Sequence, residues 1–313
     1  MSKKIAIRDA YGEALKELGA KNKNVVVLDA DVSSSSKSSL FGAQYPDRFF
    51  NVGIAEANMV AMAAGMSTLG KIPFVNTFAA FMVLRGADPV RSLIAYEKLN
   101  VKLAGTYAGL SDSYDGASHH SIMDIAFMRA LPNMTVVSVA DAVETKKAVQ
   151  TIAEYNGPVY LRLSRAEVPT IFDDSYKFEL GKGLQLTEGN DVTILATGYM
   201  LQKSLEAAKQ LKEKGINVRI INIHTIKPID KELIIKCAKE TGAVVTVEEH
   251  SIYGGLGSVV AEVLIKECPV PMEIIGIQDT FAETGAYELL LNKYGLCAEN
   301  IINTVQKVIK RKL

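Results

Sequence analysis

Short β-branched apolar runs alternate with helical patterns along most of the chain. In the first half, the runs that we predict as strands cover residues 25–28, 72–75, 101–104, 135–139 and 158–163. Helical patterns separate several of them, and Asp141 stands where it would cap a helix that runs through Ile152. Strands that alternate with helices in this way are typical of a mostly parallel sheet covered by helices.

The pattern lapses between about residues 166 and 190, where Pro, Asp, Gly and Lys are frequent. We interpret this stretch as a linker with a short hairpin. A second series follows, with strands at 192–196, 218–223, 243–247 and 272–277, helices near 201–214, 231–241 and from about 257, and a polar C-terminal helix. The prediction is an α/β protein with two domains, each a mostly parallel sheet sandwiched by helices: residues 1–170, a linker at 171–190, and residues 191–313.

Composition and charge narrow the class of protein. Hydrophobic residues make up 48% of the 313 residues, which is ample for two cores, and 35 basic residues balance 35 acidic ones. A neutral chain gives no reason to expect a nucleic-acid or membrane partner. The apolar stretch at 59–84 is interrupted by Gly65, Gly70, Lys71 and Pro73, so we do not interpret it as a membrane span.

The cysteines and the N-terminus bear on the cellular compartment. Cys237, Cys268 and Cys297 are scattered and odd in number, so they form neither a disulfide framework nor a paired metal motif. The first residues lack the apolar core of a signal peptide. Both features favour a reducing, cytoplasmic location.

One carboxylate lies in a run that is otherwise apolar or small. Glu56 falls within residues 51–66, where Ala, Met and Val dominate, and a helix of that composition is expected to be buried on most sides. The charged form of a lone buried carboxylate is disfavoured. Glu56 therefore needs either a partner or a function.

Four segments carry polar residues where a parallel sheet places its ligand site, at the carboxyl ends of the strands: 29–33, 53–56, 76–81 and 112–120. The last contains two adjacent histidines. Adjacent side chains in an extended segment point to opposite faces, and we find no third ligand at zinc spacing. We therefore predict no metal site here. Substrate binding by one histidine is favoured over the alternative, a loop histidine that caps a helix at Ser121.

These segments carry a resemblance to a known family. The sequences at residues 53–56, 77–81, 115–119 and 163–165 are similar, in order and at matching spacing, to motifs in the middle and C-terminal portions of transketolase. The deoxyxylulose-phosphate synthases share much of this pattern. The resemblance covers nearly the whole chain and implies a pyrimidine-binding domain followed by a transketolase C-terminal-like domain, with thiamine diphosphate as the cofactor.

The resemblance assigns roles in cofactor binding. Glu56 matches the catalytic glutamate that hydrogen-bonds the aminopyrimidine ring and favours its imino tautomer. Phe78 and Phe81 match the aromatic residues that pack on this ring, and Asp31, in the first polar segment, is assigned to the cofactor site as well. The alternatives are that Glu56 caps a neighbouring helix or pairs with an arginine, and that the two phenylalanines are core residues. Leu84 stands where transketolases commonly have a third aromatic residue.

The resemblance also assigns roles in substrate binding. Asp115 and His119 match the pair that contacts sugar hydroxyls, and His119 is also a catalytic candidate. Arg8, Ser35 and Arg165 fall where the family binds the substrate phosphate, although any of the serines at 33–36 could be in register. Tyr107 replaces a histidine that is usual in transketolases, and Ala117 replaces a proline. These departures bear on the choice of sugar.

The family holds the cofactor's diphosphate through a divalent metal and a Gly-Asp-Gly motif, and this sequence contains no Gly-Asp-Gly. The resemblance is thus to a transketolase without its diphosphate-binding domain. We expect an N-terminal subunit to carry Gly-Asp-Gly and Mg²⁺ or another divalent ion. We further expect a heterotetramer, with a homodimer formed through this chain, that is active only when both subunits are present.

Several functions remain open. The first is transfer of a two-carbon ketol unit between phosphosugars by the C-terminal subunit of a split transketolase. The second is condensation of pyruvate with glyceraldehyde 3-phosphate, as in 1-deoxyxylulose-5-phosphate synthase. The β chain of a 2-oxo-acid dehydrogenase has the same layout, but the loop at 115–119 disfavours it. The last is a non-catalytic binding protein on the same fold.

The second half carries one glycine-rich motif. Residues 254–257 follow a predicted strand and open a helix, which is a weak match to a dinucleotide site and a better match to a tight turn that needs positive φ. His224 and His250 are interpreted as structural.

Overall fold

The computed structural model describes residues 4–312. The strands are β1 (Lys4–Ala6), β2 (Val25–Asp29), β3 (Phe49–Asn51), β4 (Ile72–Phe78), β5 (Lys102–Thr106), β6 (Thr135–Ser138), β7 (Val159–Arg162), β8 (Glu167–Pro169), β9 (Leu184–Thr187), β10 (Val192–Ala196), β11 (Val218–Asn222), β12 (Thr225–Lys227), β13 (Val244–Ser251) and β14 (Met272–Ile277). The α-helices are α1 (Ile7–Lys21), α2 (Ser33–Ser36), α3 (Ser39–Gln44), α4 (Glu56–Thr68), α5 (Ala79–Leu84), α6 (Ala87–Pro89), α7 (Asp124–Ala130), α8 (Ala142–Glu154), α9 (Met200–Glu213), α10 (Lys231–Thr241), α11 (Leu256–Glu267), α12 (Tyr287–Lys293) and α13 (Ala298–Ile309). A 3₁₀ turn covers Pro46–Arg48, and a π-helical segment covers Val90–Ala95.

The strands form two larger sheets. The first has seven strands in the order β12-β6-β7-β5-β4-β2-β3, and its six strands from the first half of the chain are parallel. The second has the order β14-β13-β10-β11-β9, with β9 antiparallel to β11. Strands β2, β5 and β10 are buried along their whole length, as expected for strands covered by helices on both faces. The predicted α/β class with mostly parallel sheets is confirmed.

Three strands pair with partners that the sequence pattern did not predict. The predicted hairpin between residues 166 and 190 is wrong, because β8 pairs with β1 and β9 joins the second sheet. Strand β12, from the second half, pairs with β6 and extends the first sheet. Among the described residues, no helix is long and apolar enough to cross a membrane.

A buried ionic cluster joins the two halves of the chain. Arg162, at the end of β7, donates to both carboxylate oxygens of Asp124 at 2.7 and 3.3 Å and to the backbone oxygen of Glu249 at 2.9 Å. Tyr160 donates to the same aspartate at 2.7 Å. Removing one partner from a buried ion pair strongly destabilises the folded protein, because the other charge is left buried without compensation. The cluster therefore fixes the first sheet against β13.

Helix α4 buries one face instead of most of its surface. Met59, Val60, Ala63 and Ala64 pack inward with Glu56, whereas small residues (Ala57, Ala61 and Gly65) are exposed. The expectation of burial on most sides is therefore wrong for the chain by itself. The uniform Ala and Met content gave no polar stripe from which the outward face could be recognised.

The glycine-rich turn before α11 is structural. Gly254 has φ of 77°, as the tight-turn interpretation requires. The backbone N–H groups of Leu256 and Gly257 donate to the Glu248 carboxylate at 2.7 Å each. The chain's own carboxylate thus occupies the position at the helix N-terminus where an anion would bind.

Candidate functional site

The carboxyl ends of neighbouring parallel strands bring the predicted polar segments together. Asp29 of β2 is in register with Asn76 of β4, and Phe78 of β4 is in register with Thr106 of β5. Glu56 begins α4 shortly after the edge strand β3. Side chains from distant parts of the sequence therefore meet at one edge of the sheet.

Glu56 is buried, with 3% of its surface exposed, but it is paired. Arg85 Nη1 lies 3.0 Å from Glu56 Oε1, and Thr77 Oγ1 donates to the same oxygen at 3.5 Å. The Arg85 guanidinium carbon also lies 3.8 Å from the ring centroid of Phe81. Of the two alternatives to a cofactor role for Glu56, helix capping and pairing with an arginine, the second is present in this chain. Arg85 follows α5 directly and was missed in the sequence.

An aromatic cluster lies beside this pair. The ring centroids of Phe78 and Phe81 are 5.9 Å apart, and Tyr107 lies 4.6 Å from Phe78. His119 makes edge contacts with Phe81 at 5.0 Å and with Phe78 at 6.0 Å. Both phenylalanines are partly exposed, which distinguishes them from ordinary core residues. A flat heterocycle would find aromatic faces and a carboxylate within reach here.

Tyr107 connects the aromatic cluster to two arginines. The Arg8 guanidinium donates to the Tyr107 hydroxyl, and the guanidinium carbons of Arg8 and Arg165 lie 5.4 and 5.1 Å from its ring centroid. Tyr107 has φ of 59°, in the left-handed region that tyrosine rarely adopts. In the sequence, Tyr107 was noted because it replaces the histidine that is usual in the family. That replacement did not predict the contacts of Tyr107 with the two arginines.

Three potential ligand groups converge in the loop after β5. One ligand atom each from Asp112, Asp115 and His119 lies within 4.8 Å of the others. We found no third ligand at zinc spacing in the sequence, whereas the structure brings two carboxylates, Asp112 and Asp115, next to His119. Arg165 Nη1 lies 3.4 Å from Asp112 Oδ1 and partly balances its charge. The absence of a bound metal stays a prediction.

Asp112 titrates near neutral pH. The side chain of Asp112 is fully buried, and its pKa is raised to about 7. Burial is the larger cause of this increase, and the neighbouring carboxyl of Asp115 is the second. Arg165 and Arg8 oppose this increase. The loop can therefore exchange a proton near the place where Asp115 and His119 are exposed to solvent.

The two adjacent histidines lie at the end of a turn, not in an extended segment, and have different surroundings. His119 is partly exposed and contacts the aromatic cluster, with Nδ1 2.9 Å from Ser118 Oγ. His120 is buried, and neither of its ring nitrogens has a hydrogen-bond partner among residues 4–312. Burial lowers the pKa of His120 and favours its neutral form. His119 is the member of the pair that faces the candidate site.

The serine segment is divided between structural and site positions. Asp29 accepts hydrogen bonds from the hydroxyls of Ser36 and Ser38 at 2.9 and 2.7 Å, so these two serines hold the loop. The backbone oxygen of Ser35 accepts from Arg8 Nη1 at 3.4 Å, which places Ser35 next to the arginines. Asp31 is exposed and accepts from Asn51 at 2.9 Å.

A cavity of about 460 Å³ opens beside the arginines, between the two halves of the chain. Its lining includes Arg8 and Arg165 from the first half and Tyr287 from α12. Guanidinium groups favour phosphate and other oxyanions. The arrangement thus offers a flat aromatic region with a carboxylate at one end and an anion-binding region at the other.

Comparison with known proteins identifies the families and the individual proteins that this chain is similar to. The family model for the transketolase pyrimidine-binding domain matches residues 3–170, and the model for the transketolase C-terminal domain matches residues 181–301. A putative transketolase C-terminal section of Methanocaldococcus jannaschii is 46% identical over 309 residues, covering 98% of this chain and 97% of that protein. A 6-deoxy-6-sulfo-D-fructose transketolase subunit of Clostridium sp. is 42% identical, covering 98% and 95%. A solved structure described as a split gene transketolase, inactive beta4 tetramer, is 50% identical with a TM-score of 0.91, covering 99% of this chain and all of that one.

Proposed function

This chain belongs to the transketolase family, and on that premise we propose that it is the C-terminal subunit of a thiamine-diphosphate-dependent split transketolase. The observation that carries the proposal is the buried Glu56 carboxylate beside Phe78, Phe81 and His119. The reaction would transfer a two-carbon ketol unit between sugars that end in an anionic group. A separate N-terminal subunit would complete the site.

The residues fit the pyrimidine end of the cofactor. Phe81, with Phe78 beside it, offers an apolar face for a flat ring, and stacking of this kind contributes about 0.5–1.5 kcal/mol beyond burial. Glu56 offers one carboxylate at the N-terminus of α4, where it can share a proton with a ring nitrogen. When bound, the cofactor supplies a carbon nucleophile that accepts the ketol unit. The role of Glu56 is to hold the proton on which the ring's tautomer depends.

The substrate side of the site fits a polyol with an anionic end. Arg8 and Arg165 converge on Tyr107 and can hold a phosphate or sulfonate group. Asp115 and His119 lie toward the aromatic cluster and can bond the hydroxyls of the sugar. The Clostridium relative is named for a sulfo-sugar, which supports a substrate class defined by its terminal anion.

A partner subunit is part of the proposal. The sequence contains no Gly-Asp-Gly, and two relatives with nearly the same extent are named as a section and as a subunit. Ile54 and Leu84, which precede Glu56 and Arg85, are 73% and 56% exposed. Exposed apolar residues beside a site are typical of a protein interface. We propose that the N-terminal subunit covers them and brings Mg²⁺, in a heterotetramer whose two copies of this chain pair with each other.

The proposal includes a cytoplasmic location. Cys237, Cys268 and Cys297 are free thiols, and Cys237 is buried. Unpaired cysteines are usual in proteins that fold in a reducing compartment.

Assays of the mixed subunits test the reaction. Xylulose 5-phosphate with ribose 5-phosphate is expected to give ketol transfer with both subunits present and none with this chain alone. Pyruvate with glyceraldehyde 3-phosphate is the matched control pair. Turnover of the control pair without ketol transfer would replace the proposal with a deoxyxylulose-phosphate synthase.

A further inference from the structure

Arg85 makes two contacts at once with the groups assigned to the cofactor. Its Nη1 lies 3.0 Å from Glu56 Oε1, and its guanidinium carbon lies 3.8 Å from the Phe81 centroid. The guanidinium is flat and presents N–H groups along its edge. A single group of that shape therefore bonds the carboxylate and covers the aromatic ring.

A pyrimidine ring needs the same space. A flat ring that hydrogen-bonds Glu56 and stacks on Phe81 must lie within bonding distance of Oε1 and within about 4 Å of the phenyl face. The guanidinium carbon already satisfies the second distance, and its nitrogen satisfies the first. The guanidinium and a cofactor ring cannot both occupy this position.

We propose that Arg85 is an internal stand-in for the pyrimidine ring, which holds Glu56 in the free subunit and must leave when the cofactor binds. The inference rests on the proposed function, because it takes Glu56 and Phe81 as the cofactor's contacts. Without Arg85, Glu56 would be a buried carboxylate bonded weakly by Thr77. The Arg85 side chain is 48% exposed, so it can turn into solvent without opening the core. Arg85 is thus a positioning residue that competes with the cofactor.

The test is the affinity of thiamine diphosphate for the complete complex. Arg85→Met keeps an unbranched apolar stem and removes the guanidinium group, so the cofactor-free state loses its ion pair with Glu56 and the cofactor-bound state loses no contact. Isothermal titration of thiamine diphosphate with Mg²⁺ into the reconstituted complex should give binding about 2–10-fold tighter than wild type, as expected for removal of a partly exposed ion pair. Unchanged or weaker binding would overturn the proposal.

Arg91→Met is the matched control. Arg91 is an exposed arginine in the following π-helical segment, and its side chain reaches Ser92 at 3.5 Å. Arg91→Met removes one positive charge, as Arg85→Met does, but it leaves the ion pair between Arg85 and Glu56 intact. Binding by this variant should equal wild type or be slightly weaker, since the cofactor is an anion. A gain as large as that of Arg85→Met would show that general charge, and not the contact with Glu56, is responsible.

A second variant protects the test against misfolding. Arg85→Lys keeps the charge that balances Glu56 but lacks the flat group over Phe81, so it should bind the cofactor with affinity between wild type and Arg85→Met. If Arg85→Met does not fold, Arg85→Lys decides: tighter binding than wild type supports the stand-in, and equal or weaker binding overturns it. A wild-type complex that binds no thiamine diphosphate would instead remove the proposed function itself.

Discussion

At the scale of single residues, Glu56 combines deep burial with a partner that solvent can reach. The exposed half of Arg85 makes the pair reversible, whereas the Arg162–Asp124 pair is closed off on all sides. The two ion pairs therefore have different consequences. The closed pair fixes the fold, and the open one leaves the Glu56 carboxylate available to a ligand.

Glu56→Gln tests the role of this carboxylate. Glutamine has the same shape and can still accept a hydrogen bond from Arg85, so the fold should persist. It cannot hold the proton on which the proposed chemistry depends, so kcat of the reconstituted complex should fall by about 10²–10⁴-fold. Glu206→Gln, at an exposed position of α9, is the control and should retain wild-type turnover. Full activity of Glu56→Gln would favour the non-catalytic interpretation of the fold.

Arg165→Gln tests the anion-binding region. Removal of one guanidinium should raise KM for a phosphorylated substrate about 10–100-fold, as expected for loss of a charge-assisted contact. KM for the same sugar without its phosphate should change little, because the lost contact is made to the anion. Steady-state kinetics on the two substrates provide the measurement. An equal increase for both would mean that Arg165 positions the loop through Asp112 instead.

At the scale of elements, the longer strands were predictable from the sequence, whereas the three-residue strands and the distant pairings were not. The apolar run at 192–196 coincides with β10 because burial on both faces leaves a nearly continuous apolar signature. The run at 272–277 coincides with β14, an edge strand of which only the last three residues are buried. Strands β8 and β12 have three residues each, too few for a period, and pair with β1 and β6 far away in sequence. Tertiary contacts, and not local pattern, decide their pairing.

The candidate site shows the same division. The motifs place Glu56, Phe81 and His119 at one edge of the sheet, because parallel strands end together. Arg85 and Asp112 were missed, since an arginine after a helix and an acid in a loop are common, and only the folded chain shows what they contact.

The contact between β13 and the loop at 108–121 predicts a dependence of stability on pH. Glu249 is buried and accepts from the Leu110 N–H at 2.6 Å, and burial raises its pKa to about 7, against the lowering effect of Arg162. Its pKa in the unfolded chain is about 4.3. Between these values the folded protein binds more protons than the unfolded chain, so the contribution of Glu249 to stability is lost as the pH rises through this window.

Glu249→Gln should remove the decrease in stability that ionisation of Glu249 causes as the pH rises. The melting temperature of wild type is expected to fall relative to that of Glu249→Gln as the pH rises from about 4.3 to about 7, the range set by the two pKa values. Glu267→Gln, an exposed carboxylate at the end of α11, makes the same change in charge and should run parallel to wild type. Thermal unfolding followed by circular dichroism measures all three. A constant difference between wild type and Glu249→Gln would show that Glu249 is ionised throughout.

At the scale of the whole molecule, the two halves act as one support for a site that is open on one side. The first sheet carries Glu56 and the aromatic cluster. The second half of the chain holds the loop after β5 through two hydrogen bonds: Glu249 accepts from the Leu110 N–H, and the Gly285 N–H donates to the Ser113 backbone oxygen at 3.0 Å. The exposed face of α4 and the apolar residues beside the site have no cover within residues 4–312. This half-open arrangement is consistent with a site completed by another subunit.

The most direct test of a shared site is calorimetric titration of thiamine diphosphate with Mg²⁺ into this chain, into the N-terminal subunit, and into their mixture. We expect tight binding, with Kd at or below about 10 μM, in the mixture and much weaker binding to either subunit alone, because in the proposed complex each subunit would hold one end of the cofactor. Tight binding by this chain without its partner would contradict the account.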